Sequence, residues 1–275
     1  MFVPAIEQLL RSTLVIIAHP DDESIGCGIL LQRIATASVF ACTDGAPSIA
    51  RLWHGKGYHT REEYARKRAS EFHAALEISA VRHKYVMTDI PDQMLHRYLQ
   101  QASTHIEQHV DRTSPDAILT HAYEGGHPDH DACAFLAHWI GGKFSIPVWE
   151  MPFYHRRDAK SPLIYQRFLP APQDEILLSP SPAEIHKKEC MLRQHKTQAD
   201  VISQFDKTRE LFRPQPSYDF TVSPNPVLRG FAVASDIAIA DVLESFHLSY
   251  ARFSELSSNH RTDLNVGGHR NGYPQ

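Results

Sequence analysis

The chain has 275 residues, enough for one large α/β domain, and its 42% apolar and 22% charged residues are ordinary for a globular protein. A net charge of −4 leaves no general nucleic-acid footprint, and no apolar run approaches membrane-spanning length. The four cysteines are scattered without a Cys-x-x-Cys spacing, and no basic region followed by an apolar one opens the chain. A cytoplasmic protein with reduced thiols, no nucleic-acid partner and no membrane insertion is expected, with a homo-oligomer left open.

In chain order, residues 5–11 can form a short helix. Residues 14–18 are an uninterrupted apolar run, the pattern of a strand buried on both faces of a parallel sheet. Pro20 ends it, since proline cannot donate to a ladder and biases His19 away from helix. Asp21, Asp22, Glu23 and Ser24 suit the first turn of a following helix, which Ile25, Ile29, Leu30 and Ile34 extend over 24–36.

The pattern predicts a second strand at 38–43, a loop at 48–59 and an amphipathic helix at 61–78. A third strand at 84–88 follows, then a helix at 93–110, a fourth strand at 117–121, a helix at 132–140 and a fifth strand at 146–151. Beyond Arg156 proline becomes dense. Residues 176–178 suit an edge strand, 183–204 a helix with His195 on its surface, and 212–226 a lid or packed loop. A last helix is expected at 232–248 and a mobile tail from Ser257.

The chemistry collects at strand ends. His19 and Asp22 are three apart across a strand-to-helix turn, so both can reach one point with Asp21 beside them. A neutral imidazole and a carboxylate suit zinc or a similar divalent ion, but two ligands do not hold a catalytic zinc. His127-Pro128-Asp129-His130 repeats the architecture after the fourth strand. One of its imidazoles would complete a two-His, one-carboxylate set with a position open for water. Taken singly, the first cluster reads as a turn with an Asp N-cap, and His-x-x-His is weak in a chain with 18 histidines. Their joint occurrence carries the metal reading. Asp92, after the third strand, faces the same crevice or caps the next helix. Glu150 and Tyr154 follow the fifth strand in the same way.

His19-Pro20-Asp21-Asp22-Glu23 together with Gly126-His127-Pro128-Asp129-His130 resembles the PIG-L/LmbE-like family of zinc-dependent N-acetylglucosaminyl deacetylases. Looser matches are Thr43-Asp44-Gly45, Arg68 to Glu71, Ile90-Pro91-Asp92, His195 to Gln198 and Pro216 to Thr221. The resemblance implies a doubly wound α/β fold with a mostly parallel sheet. Residues 1–155 would form the metal-binding catalytic core, and 156–275 would complete the same domain. His19, Asp22 and His130 would bind one Zn2+ per chain, or Fe2+ in its place. Asp21 would be the general base, His127 would stabilise the oxyanion and protonate the amine, and Asp129 would orient an imidazole from behind. Arg68 and Asp92 would contact sugar hydroxyls. Some relatives place a Tyr where this chain has Gly125, so Tyr123 and Glu124 are the nearest candidates for that substrate contact.

The implied reaction is hydrolysis of an N-acetyl group from a small-molecule amino-sugar conjugate, releasing acetate. The alternative is a metal-dependent amidase acting on a non-sugar or larger N-acyl substrate. A two-metal phosphoesterase and a non-catalytic binding module are the more distant rivals.

Overall fold

The computed structural model describes residues 5–79, 84–157, 161–221 and 224. Helix α1 (Ala5–Leu9) leads into β1 (Ser12–Ile17), α2 (Asp22–Cys27), β2 (Thr36–Ala41), a single-turn α3 (Arg51–His54) and the long α4 (Arg61–Ser79). Strand β3 (Lys84–Met87), α5 (Leu99–Thr113), β4 (Ala117–His121), α6 (Pro128–Phe144) and β5 (Val148–Met151) follow. The chain then forms a small hairpin of β6 (Tyr154–His155) and β7 (Ile164–Tyr165). It continues through β8 (Ile176–Leu177), α7 (Pro182–Leu192), α8 (Ala199–Ile202) and β9 (Leu211–Pro214).

The main sheet runs in the order β3-β2-β1-β4-β5-β9-β8. Its first five strands are parallel; β9 pairs antiparallel with β5 and β8 with β9. Strand β1 alternates between two cores, which is why its sequence is apolar throughout. Val15 and Ile17 face one cluster, shared with Phe72, Ala75 and Leu76 of α4 and Met191 and Leu192 of α7. Leu14, Ile16 and Ala18 face the other, shared with Leu99, Ala102 and Ile106 of α5 and Ala132 to Ala137 of α6. Helices therefore cover both faces, as a doubly wound sheet requires. Connections from β1 run to β2 on one side and return to β4 on the other. That reversal opens a crevice at the carboxyl ends of β1 and β4, the usual ligand position in such sheets.

Several element boundaries differ from the sequence expectation, each for a tertiary reason. The helix expected over 24–36 stops at Cys27. The backbone N–H groups of Ile29 and Leu30 donate instead to the Glu210 carboxylate, at 2.6 and 2.9 Å. A short 3-10 turn (Leu30–Gln32) follows. The helix expected from residue 93 begins at Leu99, because Gln93 adopts a left-handed φ of 71° and the N–H groups of Gln93 and Leu95 donate to Asp129. Helix α6 starts at Pro128, four residues before the expected 132. The helix expected over 183–204 is two pieces, α7 and α8, with His195 buried in the break rather than exposed on a helix. The loop expected over 212–226 opens as β9. The helix expected over 232–248 and the tail from Ser257 lie outside the described residues. Among the described residues no helix is long and apolar enough to cross a membrane.

Candidate metal centre

The turn after β1 closes on itself. The His19 N–H donates to Asp22 Oδ2 at 2.7 Å, and the N–H groups of Asp21 and Asp22 donate back to the His19 carbonyl at 2.9 and 3.2 Å. Pro20 has no N–H to compete. This compact turn sends the two carboxylates to different neighbours. Asp22 meets the imidazoles of His121 and His130, while Asp21 meets Arg68.

The turn after β4 is shaped by close approach. A Cβ on Gly126 would lie 1.8 Å from the Tyr154 carbonyl oxygen, so only glycine fits. Asp131 Oδ1 accepts from the N–H groups of Glu124 and Gly125 at 3.2 and 3.0 Å. His127 is the N-cap of α6, with Pro128 at the first helical position, so Asp129 and His130 sit on its first turn.

The two turns converge. His19 Nδ1 lies 3.4 Å from Asp22 Oδ2, and His130 Nε2 lies 3.7 Å from Asp22 Oδ1. Ligand atoms of His19, His127 and His130 fall within 4.8 Å of one another, as do those of Asp22, His121 and His130, and those of His19, Asp92, His127 and Asp129. Hydrogen bonding separates these overlapping groups. His127 Nδ1 accepts the Asp129 N–H at 3.2 Å, so the proton of the neutral ring sits on Nε2 and the ring is a donor toward the cluster. His121 Nε2 accepts the Ala18 N–H at 3.1 Å, which occupies that lone pair. His130 Nε2 is buried and has no hydrogen-bond partner among the described residues, so its lone pair is available. His19, Asp22 and His130 thus present a donor set suited to a divalent ion.

Electrostatics agree with a cation site. Burial and the neighbouring His121 hold His130 well below the ordinary imidazole range, in the neutral form that ligates. Burial acts to raise the Asp22 carboxyl, but His121 and His130 outweigh it and hold it well down. Burial opposes charge on His19, yet Asp92, Asp129 and Asp22 draw it well up. Three carboxylates around one imidazole mark a spot that favours positive charge.

Asp21 and Arg68 are 4% and 3% exposed, and the Arg68 guanidinium donates to Asp21 Oδ1 at 3.2 Å. Asp92 Oδ1 lies 3.1 Å from His19 Nε2 and 3.7 Å from His127 Nε2. Burial would raise it, but these imidazoles hold it down to about 2. Asp129 faces His19 Nε2 at 3.4 Å while holding the 93–95 backbone, so the imidazole it can orient is His19.

Tyr123 and Glu124 are not brought into this group. Tyr123 packs on Tyr218 and Phe220 in the core, and Glu124 Oε2 accepts the Phe153 N–H at 2.9 Å. The Tyr154 ring instead lies over His130, 5.5 Å between centroids. Glu150 is committed to Arg213 at 2.7 Å and to the Tyr218 hydroxyl at 2.9 Å.

A family model described as GlcNAc-PI de-N-acetylase (PIG-L) matches residues 14–140. Over 152 residues the chain is 26% identical to the 1D-myo-inositol 2-acetamido-2-deoxy-alpha-D-glucopyranoside deacetylase of Corynebacterium diphtheriae, covering 47% of this chain and 52% of that protein. It is 29% identical over 148 residues to the corresponding deacetylase 2 of Catenulispora acidiphila, covering 44% and 47%. The chain spans about half the length of these curated relatives.

Among solved structures, a triple mutant of a teicoplanin-pathway deacetylase superposes with a TM-score of 0.60 at 20% identity, over 74% of this chain and 97% of that one. The A40926 pseudoaglycone deacetylase gives 0.59 at 19%, over 75% and 98%. A zinc-inhibited form of teicoplanin deacetylase gives 0.56 at 17%, over 74% and 97%. These likenesses show a shared fold. The stretch that matches the PIG-L family model, residues 14–140, carries both converging turns.

Proposed function

We propose that the protein is a divalent-metal-dependent hydrolase that removes the N-acetyl group from an N-acetylglucosamine-type derivative, releasing acetate and a free amine. The observation that carries this reading is the meeting of His19 and His130 on the Asp22 carboxylate at the β1–β4 crevice, with Asp21 and a proton-bearing His127 beside them. The curated relatives support it, since both are named as deacetylases of a 2-acetamido-2-deoxyglucopyranoside. Zinc is the proposed ion, with ferrous iron the alternative. When bound, such an ion polarises an amide carbonyl and makes a water more acidic.

The chain's own residues supply the rest. Asp21, held by Arg68, accepts a proton from the attacking water at its carboxylate. His127 donates a hydrogen bond from Nε2 to the amide oxygen as negative charge develops there, and Asp21 passes the proton taken from water to the leaving nitrogen. Burial and the nearby His19 keep His127 below its ordinary range, so the donor is the neutral ring. Asp92, partly exposed beside both imidazoles, is placed to accept from a substrate hydroxyl.

The same reading treats residues 156–275 as completing the domain begun by 1–155. The pairing of β9 with β5 supports this, as does the buried contact of Lys188 Nζ with Glu210 Oε1 at 2.8 Å. Four unpaired cysteines fit a cytoplasmic location. The test is acetate release from a panel of N-acetylglucosamine conjugates, with N-propionyl and non-sugar amides alongside. Turnover confined to the latter would favour the amidase alternative.

A further inference from the structure

The hydrolase reading leaves a buried acid–imidazole pair behind the first turn without a role. Glu23 follows Asp22 directly, yet its side chain points away from the cluster and is 0% exposed. Its Oε1 meets His195 Nε2 at 3.2 Å and accepts from the Ser24 hydroxyl at 2.6 Å; the same His195 nitrogen lies 3.1 Å from Ser24 Oγ. His195 is 1% exposed. Glu23 Oε2 and His195 Nδ1 have no hydrogen-bond partner among the described residues, so this junction is the pair's principal polar contact. Glu23 draws the ring toward its charged form against the effect of burial.

His195 opens a segment that also grips α4. The Thr197 hydroxyl donates to Glu71 Oε2 at 2.7 Å, its N–H donates to the same carboxylate, and Gln198 Nε2 donates to the Tyr64 hydroxyl at 2.6 Å. Tyr64, Arg68 and Glu71 share one helical face at spacings of four and three. The segment thus holds α2 at one end and, at the other, the two residues that bracket Arg68. Arg68 in turn donates to Asp21. We infer that residues 195–198 act as a clamp between α2 and α4, with His195 the positioning residue that sets the Arg68–Asp21 contact through Glu23.

This inference rests on Asp21 working as the base of the proposed hydrolase. The test compares His195→Ala with His195→Gln, whose amide nitrogen falls near the position of the imidazole Nε2. Acetate release, zinc content and amide hydrogen exchange over residues 19–28 are measured on the full chain. In His195→Ala, kcat is expected to fall by about tenfold, the scale of misplacing a reacting group. KM and zinc per chain stay unchanged, and exchange over 19–28 rises. His195→Gln is expected to restore both kcat and exchange. If His195→Ala does not fold, Thr197→Val releases the α4 end instead and is expected to lower kcat in the same direction. Unchanged kcat and exchange in a folded variant, or activity lost only in proportion to zinc, would overturn the clamp. A wild type that releases no acetate would instead sink the deacetylase reading, while the exchange comparison still judges the clamp.

Discussion

Arg68 donates to Asp21 across 3.2 Å inside the protein, so the proposed base carries a buried guanidinium on its flank. Burial pushes the Asp21 carboxyl up, and Arg68 is the strongest of the groups pulling it back down. Asp21 accepts a proton only when ionised, so activity falls on the acid side as pH drops through its pKa. In Arg68→Met the burial effect loses the largest of its opponents, while His195 and His19 remain. The acidic limb of kcat/KM against pH is expected to move to higher pH, with the greatest loss below neutrality. A limb that stays in place would remove Arg68 from this role.

His127 combines two jobs that substitution can separate. Its Nδ1 caps α6 and its Nε2 proton faces the cluster. His127→Asn keeps a capping acceptor and is expected to keep the melting temperature, yet to lose about 10²-fold or more in kcat. His127→Ala loses both, adding a cap penalty of about 1 kcal/mol to the same kinetic defect. Thermal melts with acetate release separate the two effects. An active His127→Asn would contradict the assignment.

Gly126→Ala is expected to damage the centre from outside it. The added Cβ meets the Tyr154 carbonyl oxygen at 1.8 Å, and that atom belongs to backbone that cannot simply rotate away. The turn must shift, carrying His127 and the start of α6 with it. Lower stability and activity are both expected, whereas Gly125→Ala meets only a proline carbon at 3.5 Å and is strained by its φ of 71° alone. Wild-type kinetics in Gly126→Ala would show that the turn has slack the structure does not suggest.

Lys188 and Glu210 form a buried ion pair at 2.8 Å, with Lys188 also donating to the Ile25 carbonyl and Glu210 accepting from Ile29 and Leu30. Lys188→Met leaves a buried carboxylate without its cation. Loss of one partner of such a pair costs about 3–5 kcal/mol, and urea denaturation is expected to show a loss on that scale. A midpoint equal to that of the wild type would mean that Glu210 finds another partner.

The sequence made the centre legible where chemistry and local structure share one stretch. An apolar run ending in His19-Pro20-Asp21-Asp22 marks both a buried strand and the end that carries the His/Asp turn, and the same holds for β4 and His127 to His130. The positions of the first five strands along the chain were legible in the apolar runs; their order in the sheet comes from the structure. What stayed hidden was set by distant partners. No Gly or Pro marks the break between α7 and α8, so helical periodicity ran through His195, whose burial depends on Glu23. The early end of α2 depends on Glu210, far along the chain. Tyr123 and Glu124 are close to the second motif in sequence, but their partners, Tyr218 and Phe220 for one and the Phe153 N–H for the other, lie far along the chain.

The most direct test is metal content measured beside acetate release for the wild type, His130→Ala and Asp21→Asn. About one ion per chain is expected in the wild type, held by His19, Asp22 and His130. His130→Ala should lose the ion and the activity together. Asp21→Asn should keep the ion and lose at least about 10²-fold in turnover. A His130→Ala protein that holds its ion as tightly as the wild type, or an Asp21→Asn protein with full turnover, would contradict it.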